Sequence, residues 1–173
     1  MKAFSALVVL RAAPEKLFAT MRDRLPELAS SLADVASIEE LERRPSCAGV
    51  VVVNRWRARQ EVPSFLQGRL GGSSIAWIDR ACWSNEGLTC TWTIEPLLGE
   101  GAITCSGSTS FVPAMAGRGT RLTFEGGLEI APAFLASVAG PFERPVRALV
   151  ESIATTLIPA NFRAVAEAAS RHA

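Results

Sequence analysis

Apolar positions along this chain change their spacing several times, and each change marks an element. Residues 3–11 are mainly apolar and include Val8 and Val9, the pattern of a strand. Pro14 then suits the first position of a helix, where its missing N–H would have no partner. Leu17, Met21, Leu25 and Leu28 follow at spacings of four, four and three, one face of a helix. Pro26 divides this stretch into two short helices, 14–24 and 26–32. Residues 35–44 read as a strand, and Glu39, Glu40 and Glu42 make it an edge or exposed one. A turn over 45–49 leads into a long strand, 50–60, β-branched at first and basic afterwards. Residues 63–70 fit a short helix ahead of Gly71 and Gly72.

Four further strands are predicted at 74–83, 88–95, 102–111 and 120–130. The breaks between them are Asn85-Glu86-Gly87, Leu98-Gly99-Glu100-Gly101 and Ala116-Gly117-Arg118-Gly119. Short turn-rich breaks of this kind favour consecutive antiparallel hairpins. Helical spacing then returns. Phe142, Val146, Leu149, Ile153 and Leu157 share one side, and Glu143, Arg147 and Glu151 lie roughly opposite. Pro159 is expected to kink this helix, which continues to about Ala169.

Alternation along the strands assigns faces. Leu122, Phe124, Leu128 and Ile130 oppose Arg121, Thr123, Glu125 and Glu129. Leu88, Cys90, Trp92 and Ile94 oppose three threonines and Glu95. Ile75, Trp77, Asp79 and Trp83 share a side, and Ile103, Cys105, Thr109 and Phe111 oppose Thr104 and a serine row, Ser106, Ser108 and Ser110. Turned inward, these faces define a chamber lined by Trp77, Cys90, Trp92, Phe111, Leu122 and Phe124. The helix face of Phe142, Val146, Leu149 and Ile153 closes it. The same aromatic row also fits a solid core, because aromatic side chains on a sheet usually pack against one another.

Asp79 stands among these tryptophans. A carboxylate facing inward is costly unless paired or hydrogen-bonded, and Arg55 or Arg57 would be the partner. The alternative is an outward Asp79 at a sheet rim. Inward, it is a candidate to bind a polar ligand head or to act as an acid–base group. Arg55, Arg57 and Arg59 alternate with Trp56 and Ala58. They form either a cationic strip or, as the abundant acidic residues favour, an ordinary solvated strand face.

Composition narrows the picture. The 173 residues suit one domain spanning 1–173, and 49% hydrophobic residues supply a full core. The formal net charge is +1, from 18 basic and 17 acidic residues mixed along the chain, so no nucleic-acid partner is expected. The longest aliphatic block, residues 50–53, is far short of a membrane span, so no integral membrane association is expected. Lys2 with the apolar residues after it has the look of a miniature signal peptide. Arg11 interrupts that stretch, and a strand is the better reading. The cysteines, Cys47, Cys82, Cys90 and Cys105, contain no CxxC pair, and the one histidine is His172. No metal site and no cofactor are therefore expected, and a reducing, cytoplasmic compartment is the expected location.

The stretch LRAAPEKLFATMRD resembles the opening of the START and birch-pollen-allergen superfamily, which includes polyketide cyclase-like proteins. The likeness is carried by Ala13, Pro14, Glu15, Leu17, Phe18 and Asp23, with Phe18 where that family often has Trp. Element order extends the resemblance over nearly the whole chain. It implies an α+β helix-grip fold: a curved antiparallel sheet of six to seven strands around a long C-terminal helix, with two short helices after the first strand. It also implies an interior that holds a small hydrophobic molecule, such as a lipid, sterol-like or polyketide-like compound, for binding, transport or sequestration. The alternatives are a cyclase or dehydratase and a protein-interaction module using the arginine strip and residues 63–70. An enzyme is the weaker reading, since no histidine or tyrosine lies in the body of the chain. Only Asp79, Glu95 and the arginines remain for acid–base work.

Overall fold

The computed structural model describes residues 2–70, 72–97, 101–137 and 142–173. Strand β1 (Lys2–Leu10) leads into α1 (Pro14–Asp23) and α2 (Leu25–Leu28), which ends in a 3-10 turn, Ala29–Ser31. Strands β2 (Val35–Ser46) and β3 (Gly49–Glu61) follow, then α3 (Ser64–Leu70). Strands β4 (Ser74–Ser84), β5 (Thr89–Pro96), β6 (Ile103–Ala114) and β7 (Gly119–Ile130) complete one seven-stranded sheet. After α4 (Pro132–Ser137), the chain forms a continuous C-terminal helix: α5 (Glu143–Ser152), a π turn (Ile153–Leu157) and α6 (Ile158–His172). The predicted turn at residues 98–100 lies outside the described residues.

The sheet runs β1-β7-β6-β5-β4-β3-β2, antiparallel throughout. The first two strands are therefore its two edges, and α1 and α2 carry the chain from one edge to the other. This explains the abrupt change from strand to helix after Leu10. Ala13 is extended, Pro14 opens α1, and the Leu17 N–H donates to Ala13 O at 3.0 Å. The junction is tied to the start of the neighbouring strand β7 by Thr120 Oγ1, which donates to Ala12 O at 2.6 Å. The acidic face of β2 lies at an edge, as expected. There Glu40 pairs with Arg43, Glu42 with Arg44 and Glu39 with Arg55.

One face of the sheet packs on the C-terminal helix. Val165, Ala166, Ala168 and Ala169 are buried, and these small side chains bring α6 close to β1 and α1. Pro159 does not end the helix. It has no N–H to give to the carbonyl four residues back, and its ring crowds that carbonyl. The preceding turn widens instead, with the Ile158 N–H donating to Ile153 O, five residues back. The apolar stripe of the helix then continues past the proline through Ile158, Phe162 and Val165, all buried.

Candidate functional site

Between the sheet and α6 lies a cavity of about 100 Å³. All four tryptophans of the chain line it: Trp56 from β3, Trp77 and Trp83 from β4, and Trp92 from β5. Phe124 of β7 and Phe162 of α6 complete the aromatic wall, and Met21 and Leu25 cover one side from α1 and α2. Its polar groups are few: Asp79, Cys90, Thr109 and Asn161.

The aromatic wall is built by stacking. Trp92 lies against Phe124 with ring centroids 4.6 Å apart and planes 11° apart, and Phe124 stacks on Phe162 at 4.3 Å. The Trp92 N–H donates to Thr109 Oγ1 at 3.2 Å, so the buried indole is satisfied. Trp56 and Trp77 are directly opposite in the β3–β4 register and stack at 5.6 Å and 16°. Phe18 meets the edges of Trp83 and Phe111 at 5.2 Å and 5.3 Å and fills the interior beside α1. This end is solid core.

Among the described residues, Asp79 is the one carboxyl group on the cavity wall. It is inward, not at a rim, and pairs in register with Asn54 of β3 and Ile94 of β5. The expected arginine partner is missing for a geometric reason. Arg55 and Arg57 alternate with Trp56 along β3, so turning Trp56 inward turns them out, and Arg55 is bonded to Glu39 on the outer face. Burial pushes the Asp79 carboxyl up to about 6, because a charge is poorly solvated there. The Asn54 amide and the Trp56 N–H act in the other direction and favour the carboxylate, but more weakly. Trp56 Nε1 is near enough for that influence yet closes no bond of normal geometry. Asn54 Oδ1 and Asn161 Nδ2 are likewise buried without a partner. Burial also holds the Cys90 thiol well above its usual range, reinforced by Asp79 nearby, so Cys90 is a neutral thiol.

Of the residues expected at the chamber, Trp77, Asp79, Cys90, Trp92 and Phe124 meet at this cavity. Phe111 packs with Phe18 and Trp83, and Leu122 is wholly buried in the core. On the helix, Val146 is core and Phe142 is half-buried against it. Leu149 and Ile153 line a smaller void of about 40 Å³, which shares Trp77, Ile94 and Ile158 with the main cavity. The helical wall of the main cavity is supplied further along, by Ile158, Asn161, Phe162 and Val165. Sequence reasoning missed Asn161 and Phe162 because it ended the apolar stripe at Leu157, although it carried the helix on to about Ala169. It missed Trp56 by treating it as a spacer, although three outward arginines at alternate positions already imply an inward Trp56. Among the described residues no group of acidic, histidine and cysteine side chains is placed to hold a metal, and no helix is long and apolar enough to cross a membrane.

No protein-family model matches the chain, and no curated protein does. Solved structures do. TTHA0849 from Thermus thermophilus superposes with a TM-score of 0.69 at 21% identity, over 99% of both chains. The ZhuI aromatase/cyclase from a Streptomyces species is similar at a TM-score of 0.68 and 14% identity, over 99% of this chain and 94% of that one. Ara h 8.0201 gives 0.59 at 16% identity, over 98% and 95%. The curved seven-stranded sheet, the two short helices after β1 and the long C-terminal helix thus form the helix-grip fold that these structures share.

Proposed function

We propose that this protein binds a small, largely apolar molecule with a polar head in the cavity between its sheet and its C-terminal helix. One observation carries the reading. All four tryptophans converge on a space whose buried polar atoms, at Trp56 and Asn161, lack partners inside the protein. A folded chain leaves few such atoms unpaired, since each costs about 1–3 kcal/mol. An acceptor on the ligand would satisfy them, and apolar enclosure would supply the affinity. The similarity to an aromatase/cyclase and to Ara h 8.0201 supports an interior of this kind.

Volume limits the ligand. About 100 Å³ is below the roughly 300–1,000 Å³ of common ligand pockets. A single-ring molecule is the largest occupant within reach, and it too requires a small shift of the Met21 side chain. A longer lipid or polyketide-like compound requires Met21 and Leu25 to swing aside, a movement that the flexible Met21 side chain favours. The whole chain acts as one START-like domain in this reading, and the four unpaired thiols agree with a reducing, cytoplasmic setting.

Native mass spectrometry of gently purified protein tests the proposal. The expected result is an adduct of defined mass that leaves on collisional activation. A second readout is intrinsic fluorescence. The chain has no tyrosine, so its emission reports on the cavity tryptophans. An adduct-free mass, together with emission unmoved by any single-ring aromatic compound, would exclude the binding role.

The Asp79 carboxyl supports a second reading, as an acid–base group of a cyclase-like reaction. A carboxyl held near 6 takes up and releases protons at neutral pH. Turnover of an aromatic polyketide, lost in Asp79→Ala, is the result that reading requires.

A further inference from the structure

We propose that the cavity is selective for a protonated organic amine, whose ammonium group sits beside Asp79 and against the tryptophan rings. This rests on the binding role proposed above and names the chemistry of the ligand head.

Three features point to a cation. First, among the described residues the cavity wall has one acidic side chain and no lysine, arginine or histidine. Every element packed around it agrees: β3 brings Trp56, with Asn54 next to Asp79 in the register, β5 brings Cys90, Trp92 and Ile94, and β6 and β7 bring Thr109 and Phe124. The helices bring Met21, Leu25, Ile158, Asn161, Phe162 and Val165. Cys90 is the other titratable group there, and burial keeps it a neutral thiol. The nearest arginines on β3 and β4 lie on the outer face. Asp79 therefore has no counter-charge of its own, and a buried carboxylate is stable when its partner arrives with the ligand. Second, the surroundings suit a cation. Indole faces attract an ammonium group within about 6 Å of the ring centroid, more strongly when water is excluded. Trp56 and Trp77 stack beside Asp79 in the register, and Trp83 and Trp92 share the same wall. Third, the unpaired Asn54 Oδ1 is a further acceptor directly across from Asp79. An ammonium group brings three donors for these acceptors, while the unpaired donors of Trp56 and Asn161 await an acceptor elsewhere on the ligand.

The charge pairing has a consequence for pH. An amine of ordinary basicity is protonated throughout the range from 5 to 8, so Asp79 decides the affinity. Its carboxyl titrates near 6 in the empty protein, and only the carboxylate pairs with the cation. Affinity therefore rises from pH 5 towards pH 7.5. The expected gain is roughly tenfold, the inverse of the charged fraction at the lower pH.

The test is a titration followed by tryptophan fluorescence and calorimetry. 2-Phenylethylamine is compared with its neutral isostere 2-phenylethanol at pH 5 and pH 7.5. The proposal expects the amine to bind at least about tenfold more tightly than the alcohol at pH 7.5, and that preference to shrink about tenfold at pH 5. Asp79→Asn should abolish the preference for the amine over the alcohol. The wild-type pH comparison stands without the variant, should the variant fold poorly. Equal binding of amine and alcohol at pH 7.5, or tighter binding of the alcohol, overturns the amine proposal while the cavity remains a ligand site. Absence of binding by both, with no adduct in native mass spectrometry, removes the binding role as well. An amine preference that survives Asp79→Asn overturns the assignment to Asp79.

Discussion

A Cβ on Gly126 would lie 2.4 Å from Cη2 of Trp92. The indole of Trp92 rests where the side chains of two inward positions would otherwise stand. Gly107, its neighbour across β5–β6, is the second: a Cβ there would come within 2.4 Å of Trp92 Cζ2. Two glycines on adjacent strands thus make a flat bed for the largest side chain of the cavity wall. This bed holds Trp92 in its stack with Phe124.

Gly126→Ala tests that relationship. The added methyl must displace the indole, and overpacking of this kind costs about 1–3 kcal/mol. Urea denaturation should show a lower midpoint with an unchanged slope. In a Trp92→Leu background the same substitution should cost less, although Ser106 O at 2.9 Å keeps the relief partial. Strictly additive losses would mean that the indole is not the obstacle.

The Asp79 carboxyl makes stability depend on pH in an unusual direction. Its folded-state value is raised, from 3.8 to about 6, so the folded protein holds this proton more tightly than the unfolded chain does. Its contribution is fully present below about 4, declines as pH rises, and is lost above about 6. Asp23, Glu40 and Glu151 are shifted down by their basic partners and act oppositely, losing stability as pH falls through their lowered values. The clean measurement is the difference between wild type and Asp79→Asn. The variant should match wild type near pH 4 and exceed it at pH 7 by on the order of 2 kcal/mol. A difference independent of pH would show that Asp79 is not strained in the folded state.

Much of this arrangement was legible in the chain because alternation is a strong signal where one sheet face is buried. Trp77, Cys90, Trp92 and Phe124 follow from it directly. So does the edge position of β2, from Glu39, Glu40 and Glu42. What was hidden depended on three-dimensional register. Nothing local says that Asp79 faces Asn54 rather than an arginine, since that is set by the pairing of β3 with β4. Gly107 and Gly126 break the alternation by lacking a side chain, and their role becomes visible only when Trp92 is laid over them. On the helix, Pro159 reads as a kink, and the π turn that carries the chain past it has no simple sequence mark. The helix α4, six residues from Pro132 to Ser137, went unseen.

The junction after β1 depends on one hydroxyl. Thr120 is wholly buried, and its Oγ1 donates to Ala12 O at 2.6 Å, joining the start of β7 to the bend between β1 and α1. Thr120→Val keeps the shape and removes the donor, so Ala12 O loses its side-chain partner. A loss of about 1–3 kcal/mol is expected. Hydrogen exchange should locate it, with faster exchange at the first turn of α1 than in β3 and β4. Uniform acceleration over the sheet would mean that the bond supports the fold globally and not this junction.

Asn161 separates the needs of folding from those of binding. Its Nδ2 is buried without a partner on a helix face that is otherwise apolar, between Ile158, Phe162 and Val165. Such a group destabilises the empty protein, and a ligand acceptor would relieve it. Asn161→Leu removes the unpaired amide and adds apolar bulk to the cavity. The empty variant should be more stable than wild type by about 1 kcal/mol, seen as a rise of roughly 2–4 °C in Tm. Its fluorescence response to 2-phenylethanol should be weaker, because the donor is gone and the space partly filled. Ligand and stability then move in opposite directions, as expected of a residue kept for binding. If Asn161→Leu instead lowered Tm and bound the alcohol as well as wild type does, Asn161 would be a packing residue, and the polar end of the cavity would shrink to Asp79 and Trp56.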